Sequence, residues 1–260
     1  MIFIHTIKYL NYYLLSHHKK GHGIHSPFVF DLVSRVFNSK PDKDVLSAVR
    51  QVRNRMISDK RKIIFEDLGS GTWRKGLRKV SDIAKYSAIT EKYGKLLSNI
   101  ATEFASPMIL ELGTSLGIST LYMASFCPDT PVYTIEGSPT VAAIARQNFI
   151  EAGLKNVKVL VGPFDDILPG LFKDGVKPGL VFIDGNHRKT PVIKYFNQIS
   201  EFSDSKTVVI IDDINYSKEM SEAWNEIKLN RRVSVSIDFL RMGILFFREG
   251  INQINLIIRY

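Results

Sequence analysis

From Met108 onward, apolar runs of strand length alternate with amphipathic segments of helix length, and no other feature restricts the fold as much. Five such runs stand out: "MILELG", "PVYTIEG", "VKVLVGP", "GLVFIDG" and "KTVVIIDDI". Each is followed by helical sequence, the pattern of crossover units that build a parallel sheet. After the last run, Met220, Ala223, Trp224 and Ile227 fall at i, i+3, i+4 and i+7 and predict one apolar helix face. The alternation then stops. "VSVSIDFLRMGILFF" holds two β-rich runs about a tight turn around Arg241 to Gly243, which predicts a hairpin closing the sheet with an antiparallel edge. The fold class expected is α/β: a doubly wound, mostly parallel, seven-stranded sheet.

The first 105 residues differ in kind. They carry 19 Lys and Arg against 9 Asp and Glu, whereas residues 106–260 carry 16 against 17. We therefore expect a basic, mainly helical extension over residues 1–105 and the sheet domain over 106–260. A basic face of that size concentrates anionic partners, whether nucleic acid, acidic lipid or an anionic small substrate. The opening "MIFIHTIKYLNYYLL" is interrupted by His5 and Lys8 and is shorter than the roughly 20 apolar residues a membrane span needs. It reads as an amphipathic helix that packs on the domain or on a second subunit of a homodimer, or lies in a membrane interface beside His17, His18, Lys19 and Lys20. His17, His18, His22 and His25 form a His-rich tract, but Gly21 and Gly23 break helical spacing, so a surface loop or a lid is expected. At 260 residues and 45% hydrophobic content the chain can bury a large core. Its single cysteine, Cys127, rules out an internal disulfide framework and a cysteine zinc cage, and fits a cytoplasmic location.

Two stretches deliver an apolar run into an acid and a glycine turn: "IIFEDLGSGT" from Ile63 and "MILELGTSLGIS" from Met108. In an open α/β sheet, ligands bind beyond the carboxyl ends of the strands, and a nucleoside needs a second strand ending in an acid for its ribose hydroxyls. The second copy has one, since "PVYTIEG" places Glu136 25 residues beyond Glu111. The first copy is followed by "WRKGLRKVSDIAKY", which reads as basic and helical with no acid in place. Its expected role is a turn within the extension. The Gly113-Thr-Ser-Leu-Gly117 spacing also lacks the paired glycines of pyrophosphate-binding fingers.

With Glu136 in place, residues from about Tyr93 to Phe247 resemble the class I S-adenosylmethionine-dependent methyltransferases, which have a Rossmann-like fold. "ILELGTSLGIST" is similar to that family's first motif and "YTIEGSP" to its second. The resemblance implies that Glu111, Gly113, Thr114, Gly117 and Ser119 surround the methionine and ribose parts of the cofactor. It also implies that Glu136, with Gly137 and Ser138, takes the ribose hydroxyls. "VGPFDDIL" is similar to the segment whose backbone, beside Pro163 and Phe164, meets adenine; Asp184 borders the same site. Small residues at Gly113 and Gly117 suit close approach of the loop backbone to a zwitterionic amino acid.

Beyond the cofactor, "FIDGNH" leaves Asp184 and His187 after the fourth strand, and "IIDDINY" leaves Asp212 and Asp213 after the fifth. Neighbouring strands lie about 4.8 Å apart, so the three carboxylates can converge on one cation. Oxygen ligands favour a hard ion, Mg²⁺ first among them. The same residues can instead bind loop amides ahead of a helix beginning near Ser217. The pattern resembles the metal-dependent catechol and caffeoyl-CoA type O-methyltransferases, with an Asp after the fourth strand and an Asp-Asn pair after the fifth. Asp184 and Asp212 match; Asp213 replaces the Asn, and His187 replaces the family's lysine. By that resemblance Asp184, Asp212 and Asp213 are the expected metal ligands, with Asp184 and His187 the expected catalytic pair and His187 the base.

Three functions follow as expectations: O-methylation of a small hydroxylated, anionic acceptor with a divalent metal; methylation of RNA or other nucleic acid, favoured by the basic extension; and cofactor binding without catalysis. No Asn-Pro-Pro-Tyr type motif follows the fourth strand, which speaks against base N-methylation.

Overall fold

The computed structural model describes residues 12–17, 21–67, 74–173 and 177–260. The chain forms two compact units, Lys40–Asn186 and Met1–Ser39 with His187–Tyr260. In the second of these, α1 (Pro27–Asp31) runs into a π-helical turn over Leu32–Phe37. Ser26 caps α1 by accepting from the Val29 amide at 3.4 Å.

The Lys40–Asn186 unit begins with α2 (Lys43–Ser58), capped by Asp42, whose carboxylate accepts from the amides of Asp44 and Val45. Next come β1 (Lys62–Asp67) and β2 (Arg74–Lys79), paired antiparallel with Ile64 opposite Leu77. This hairpin corrects the helical reading of "WRKGLRKV". The run is held as a strand because β1 and β2 alternate faces: Ile63 and Phe65 pack on the cluster of Met56, Val80, Ile83, Ala84, Leu116 and Val141, while Ile64 and Leu77 face outward. A charged run shows no apolar period of its own; its pairing partner supplies the order. The glycine turn at residues 68–72 lies outside the described residues, as do residues 1–11 of the N-terminal apolar segment and His18.

Then follow α3 (Val80–Tyr86), α4 (Glu91–Phe104), β3 (Ile109–Leu112), α5 (Ile118–Ala124), β4 (Val132–Glu136), α6 (Pro139–Glu151), β5 (Val157–Val161), α7 (Phe164–Leu171) and β6 (Leu180–Ile183). The strands pair in parallel in the order β6-β3-β4-β5. β3 and β6 are buried along their whole length, which is why both read as continuous apolar runs. Cys127 is buried in the turn after α5.

The remaining elements are α8 (Lys189–Glu201), β7 (Val208–Ile211), α9 (Lys218–Ile227), β8 (Val235–Asp238), β9 (Gly243–Phe246) and β10 (Ile254–Ile257). On α9 the four residues of the expected stripe are buried, and Ser217 caps the helix by accepting from the Met220 amide at 3.1 Å. The hairpin forms, but it does not end the sheet. β9 lies between β7 and β8, antiparallel to both, and β10 adds a parallel edge beside β8. Outside the β1–β2 hairpin the described residues thus hold eight strands, one more than the seven expected. Aromatic contacts fill this unit: Phe28 meets Phe246 edge to face at 5.2 Å, and Phe196 stacks on Phe247 at 6.4 Å. Among the described residues no helix is long and apolar enough to cross a membrane.

Candidate functional site

The loop after β3 is shaped by its neighbours. Leu112 stands opposite Ile135 of β4 and Ile183 of β6, so the carboxyl ends of three parallel strands lie level. Gly113 leaves the strand at φ +106, and a Cβ there would run into the carbonyl oxygen of Asp184. Gly117 caps α5 at φ +82, with the Phe149 ring where a side chain would stand. Both positions therefore demand glycine for conformation and for space.

Glu136, half-buried at the end of β4, is held by two backbone donors. The Ser115 amide donates to Oε2 and the Ser138 amide to Oε1, each at 2.8 Å. A carboxylate oxygen has two acceptor sites, so these two amides alone do not saturate either oxygen toward a pair of vicinal hydroxyls. Gly137, next to Glu136 in sequence, is half-buried. Ser138 is 1% exposed and its hydroxyl has no partner, a buried polar group of the kind that a bound ligand satisfies. On the next loop Pro163 caps α7, and the Phe164 ring lies against Gly185, where a Cβ would approach to 2.9 Å.

The acid of the first motif is enclosed by side-chain hydroxyls. Glu111 is fully buried and accepts from three hydroxyls: Ser119 at 2.5 Å, Thr134 at 2.6 Å, and Thr120. Thr134 donates its only proton to Glu111, so the Thr114 hydroxyl, 2.6 Å away, is the donor to Thr134. Burial pushes the Glu111 carboxyl up to about 7, against the pull of the hydroxyl donors. Glu111, Thr114, Ser119, Thr120 and Thr134 form a sealed network beneath the loop.

At the acidic strand ends, Asp184, His187 and Asp213 are each half-buried. Asp213 sits at φ +55, in the left-handed region. Asp212 differs from them. Its carboxylate is fully buried and is clamped by Arg241, with Nε at 3.0 and 3.2 Å and Nη2 at 2.7 Å. Burial pushes the Asp212 carboxyl up, and the guanidinium opposes that shift. Of the three expected ligands, Asp212 is thus held in an ion pair with Arg241. Among the described residues His17, His22 and His25 belong to no group of three or more metal-ligating side chains. Arg241 and Thr134 were not singled out from sequence, since nothing local marks an arginine in a turn or a threonine in a strand as the partner of a distant acid.

Residues 110–214 match the profile of a family described as a methyltransferase domain. A catechol O-methyltransferase from Niastella koreensis is 35% identical over 130 residues, covering 49% of this chain and 58% of the relative. One from Mycobacterium tuberculosis is 33% identical over 129 residues, covering 49% of this chain and 57% of the relative. The matched stretch thus spans little more than half the length of these relatives. The O-methyltransferase TomG of Streptomyces achromogenes, solved with S-adenosylmethionine, superimposes with a TM-score of 0.58 at 23% identity, over 85% of this chain and 95% of that one. The fold is that of the class I S-adenosylmethionine-dependent methyltransferases, and the middle of the chain shares sequence kinship with the catechol O-methyltransferases.

Proposed function

We propose that this protein is an S-adenosylmethionine-dependent O-methyltransferase acting on a small hydroxylated acceptor, with a divalent cation at the acceptor end. The observation that carries this reading is the contact of Gly113 with the backbone of Asp184, because it joins the glycine loop to the first residue of the acidic group. The two half-sites are built on adjacent strands, β3 and β6.

In this reading Glu136 accepts from the ribose hydroxyls, the Gly113–Gly117 backbone approaches the methionine moiety, and Pro163 and Phe164 border the adenine. Glu111, Thr114 and Ser119 act from below by fixing the loop. Asp184 and Asp213 are the residues that would hold the cation, and their carboxylate oxygens suit a hard ion such as Mg²⁺ or Mn²⁺. Such an ion supplies Lewis-acid polarisation of the acceptor hydroxyl. His187 receives the acceptor's proton, an imidazole being suited to that task near neutral pH. The acceptor oxygen forms the new bond to the methyl carbon as the carbon–sulfur bond breaks and its electron pair stays on sulfur. Residues 1–105 serve in this reading as an extension that shapes the acceptor end, and the buried thiol of Cys127 suits a reducing, cytoplasmic setting.

Calorimetry with S-adenosylhomocysteine tests the assignment. Glu136→Ala is expected to lose roughly 10- to 100-fold in affinity, the worth of charged hydrogen bonds. Asp184→Ala should keep most of that affinity and lose turnover of a catechol-type diol. Absence of any uptake by the unmodified protein defeats the reading. A second reading, methylation of nucleic acid, draws on the β1–β2 hairpin, where exposed Lys62 stands opposite exposed Lys79 beside exposed Arg78. RNA binding that weakens steeply with salt would favour it.

A further inference from the structure

The loop from Gly113 to Gly117 enters the left-handed region three times, at Gly113, Ser115 and Gly117, and Ser115 does so at φ +49 with a side chain attached. A backbone of that kind persists only where its surroundings hold it. Side chains from two other elements grip consecutive residues of the loop. The Ser115 amide donates to Glu136 of β4, and the Leu116 carbonyl accepts from Asn148 Nδ2 of α6 at 2.8 Å. That carbonyl comes one residue before the carbonyl that opens α5, where the Leu121 amide donates to Gly117, so the helix has no amide for it.

Asn148 is 1% exposed, and its amide has one orientation. Arg55 of α2 donates from Nη2 to Asn148 Oδ1 at 2.9 Å. A guanidinium only donates and a backbone carbonyl only accepts, so the amide oxygen must face Arg55 and the NH₂ group must face the loop. Arg55 is held in turn by an ion pair with Glu151, one turn along α6, which also accepts from Gln147 Nε2 at 2.8 Å.

We propose that Asn148 and Arg55 are positioning residues of the cofactor loop: Arg55 fixes the Asn148 amide so that its NH₂ group holds the Leu116 carbonyl and, together with Glu136, presets the Gly113–Gly117 backbone. The proposal rests on the reading of this loop as the S-adenosylmethionine site. A loop set in its binding shape beforehand spares the cofactor the cost of ordering it, so loss of the relay shows as weaker affinity. The relay also carries the cofactor site back to α2, upstream of the stretch from Tyr93 that resembles the methyltransferases.

The test is calorimetry with S-adenosylhomocysteine on the full chain, with urea unfolding of each variant alongside. Asn148→Asp keeps the side-chain volume and the partner of Arg55 but sets a second acceptor against the Leu116 carbonyl; affinity is expected to fall about tenfold, the worth of a hydrogen bond. Arg55→Met removes the orienting donor and should lose about fivefold, whereas Arg55→Lys retains a charged donor and should return to within about twofold of wild type. Val132→Ala, a core change at the amino end of β4, should lower the urea midpoint and leave the affinity within about twofold. That control separates positioning from a general loss of stability. Wild-type uptake matched to within about twofold by Asn148→Asp overturns the proposal and leaves the cofactor reading standing. An Arg55→Lys that binds no more tightly than Arg55→Met, or a Val132→Ala as weak as Asn148→Asp, overturns it as well. Arg55 is partly exposed, so its two variants decide the matter where Asn148→Asp does not fold. Absence of uptake by the wild-type protein overturns both the proposal and the reading beneath it.

Discussion

Two stretches of this chain say nearly the same thing in sequence and fold differently. Around Ile63 and around Ile109 an apolar run meets an acid and a glycine turn. The first becomes β1, one arm of a two-stranded antiparallel hairpin, with Ile64 47% and Leu77 69% exposed. The second becomes β3, buried at every position between two parallel neighbours and leading into a helix. The difference lies in what comes next. "SLGISTLYMA" can close a helix over the sheet, whereas "RKGLRK" carries too much charge to be buried and instead offers an arm for local pairing. A strand–acid–glycine signature is thus only half of a cofactor loop; the following segment decides whether the loop opens over a helix.

The contrast can be broken most easily in the core. Leu110 of β3 is fully buried, so Leu110→Ala should cost roughly 3–4 kcal/mol in urea unfolding. Leu77→Ala on the hairpin should stay within about 0.5 kcal/mol. Equal costs at the two sites would mean that the hairpin is covered in solution.

The glycines sharpen the comparison. Gly113→Ala forces a left-handed φ on a residue with a Cβ and drives that atom into the Asp184 backbone, so S-adenosylhomocysteine affinity should fall about 100-fold, near 3 kcal/mol. A Cβ on Gly76 of β2 would meet nothing within 4 Å, and Gly76→Ala should be neutral or stabilise by about 0.5 kcal/mol. Retained affinity in Gly113→Ala would show that the loop moves aside to bind.

A comparable effect is expected from the acid of the second copy. The Glu111 carboxyl lies at about 7 in the fold against an ordinary 4.5. The fold thus favours the protonated form: this contribution is fully present below pH 4.5 and is lost as the pH rises through 7. Over that window stability should fall by an amount on the order of 3 kcal/mol, and Glu111→Gln should flatten the dependence. Parallel pH profiles for the two proteins would mean that water or relaxation stabilises the buried anion.

Legibility followed the same division. β3, β6 and β7 were readable because strands buried at every position impose continuous apolar runs, and α9 because one face of it is buried. β2 was not, since its order comes from β1. β10 was passed over because its residues are only partly buried and carry no strong run. In the site, Gly113, Gly117 and Glu136 were readable from spacing, because local backbone needs dictate them. The fate of Asp212 was not: Arg241 lies 29 residues away in sequence and reaches it only through the register of β7 with β9. Sequence identifies ionisable groups at strand ends, but pairing decides which of them is left for chemistry.

The placement of β9 between β7 and β8 bears on how the chain is made. A ribosome that has released residues only as far as Asp238 exposes a β7 whose β9-facing edge has no strand to meet it, because β8 is laid against β9 and not against β7. An open apolar edge of that kind invites pairing between nascent chains. Completion of this half of the protein therefore waits until residues 243–246 have emerged, and a pause in translation just before them is the moment when the protein most needs a chaperone.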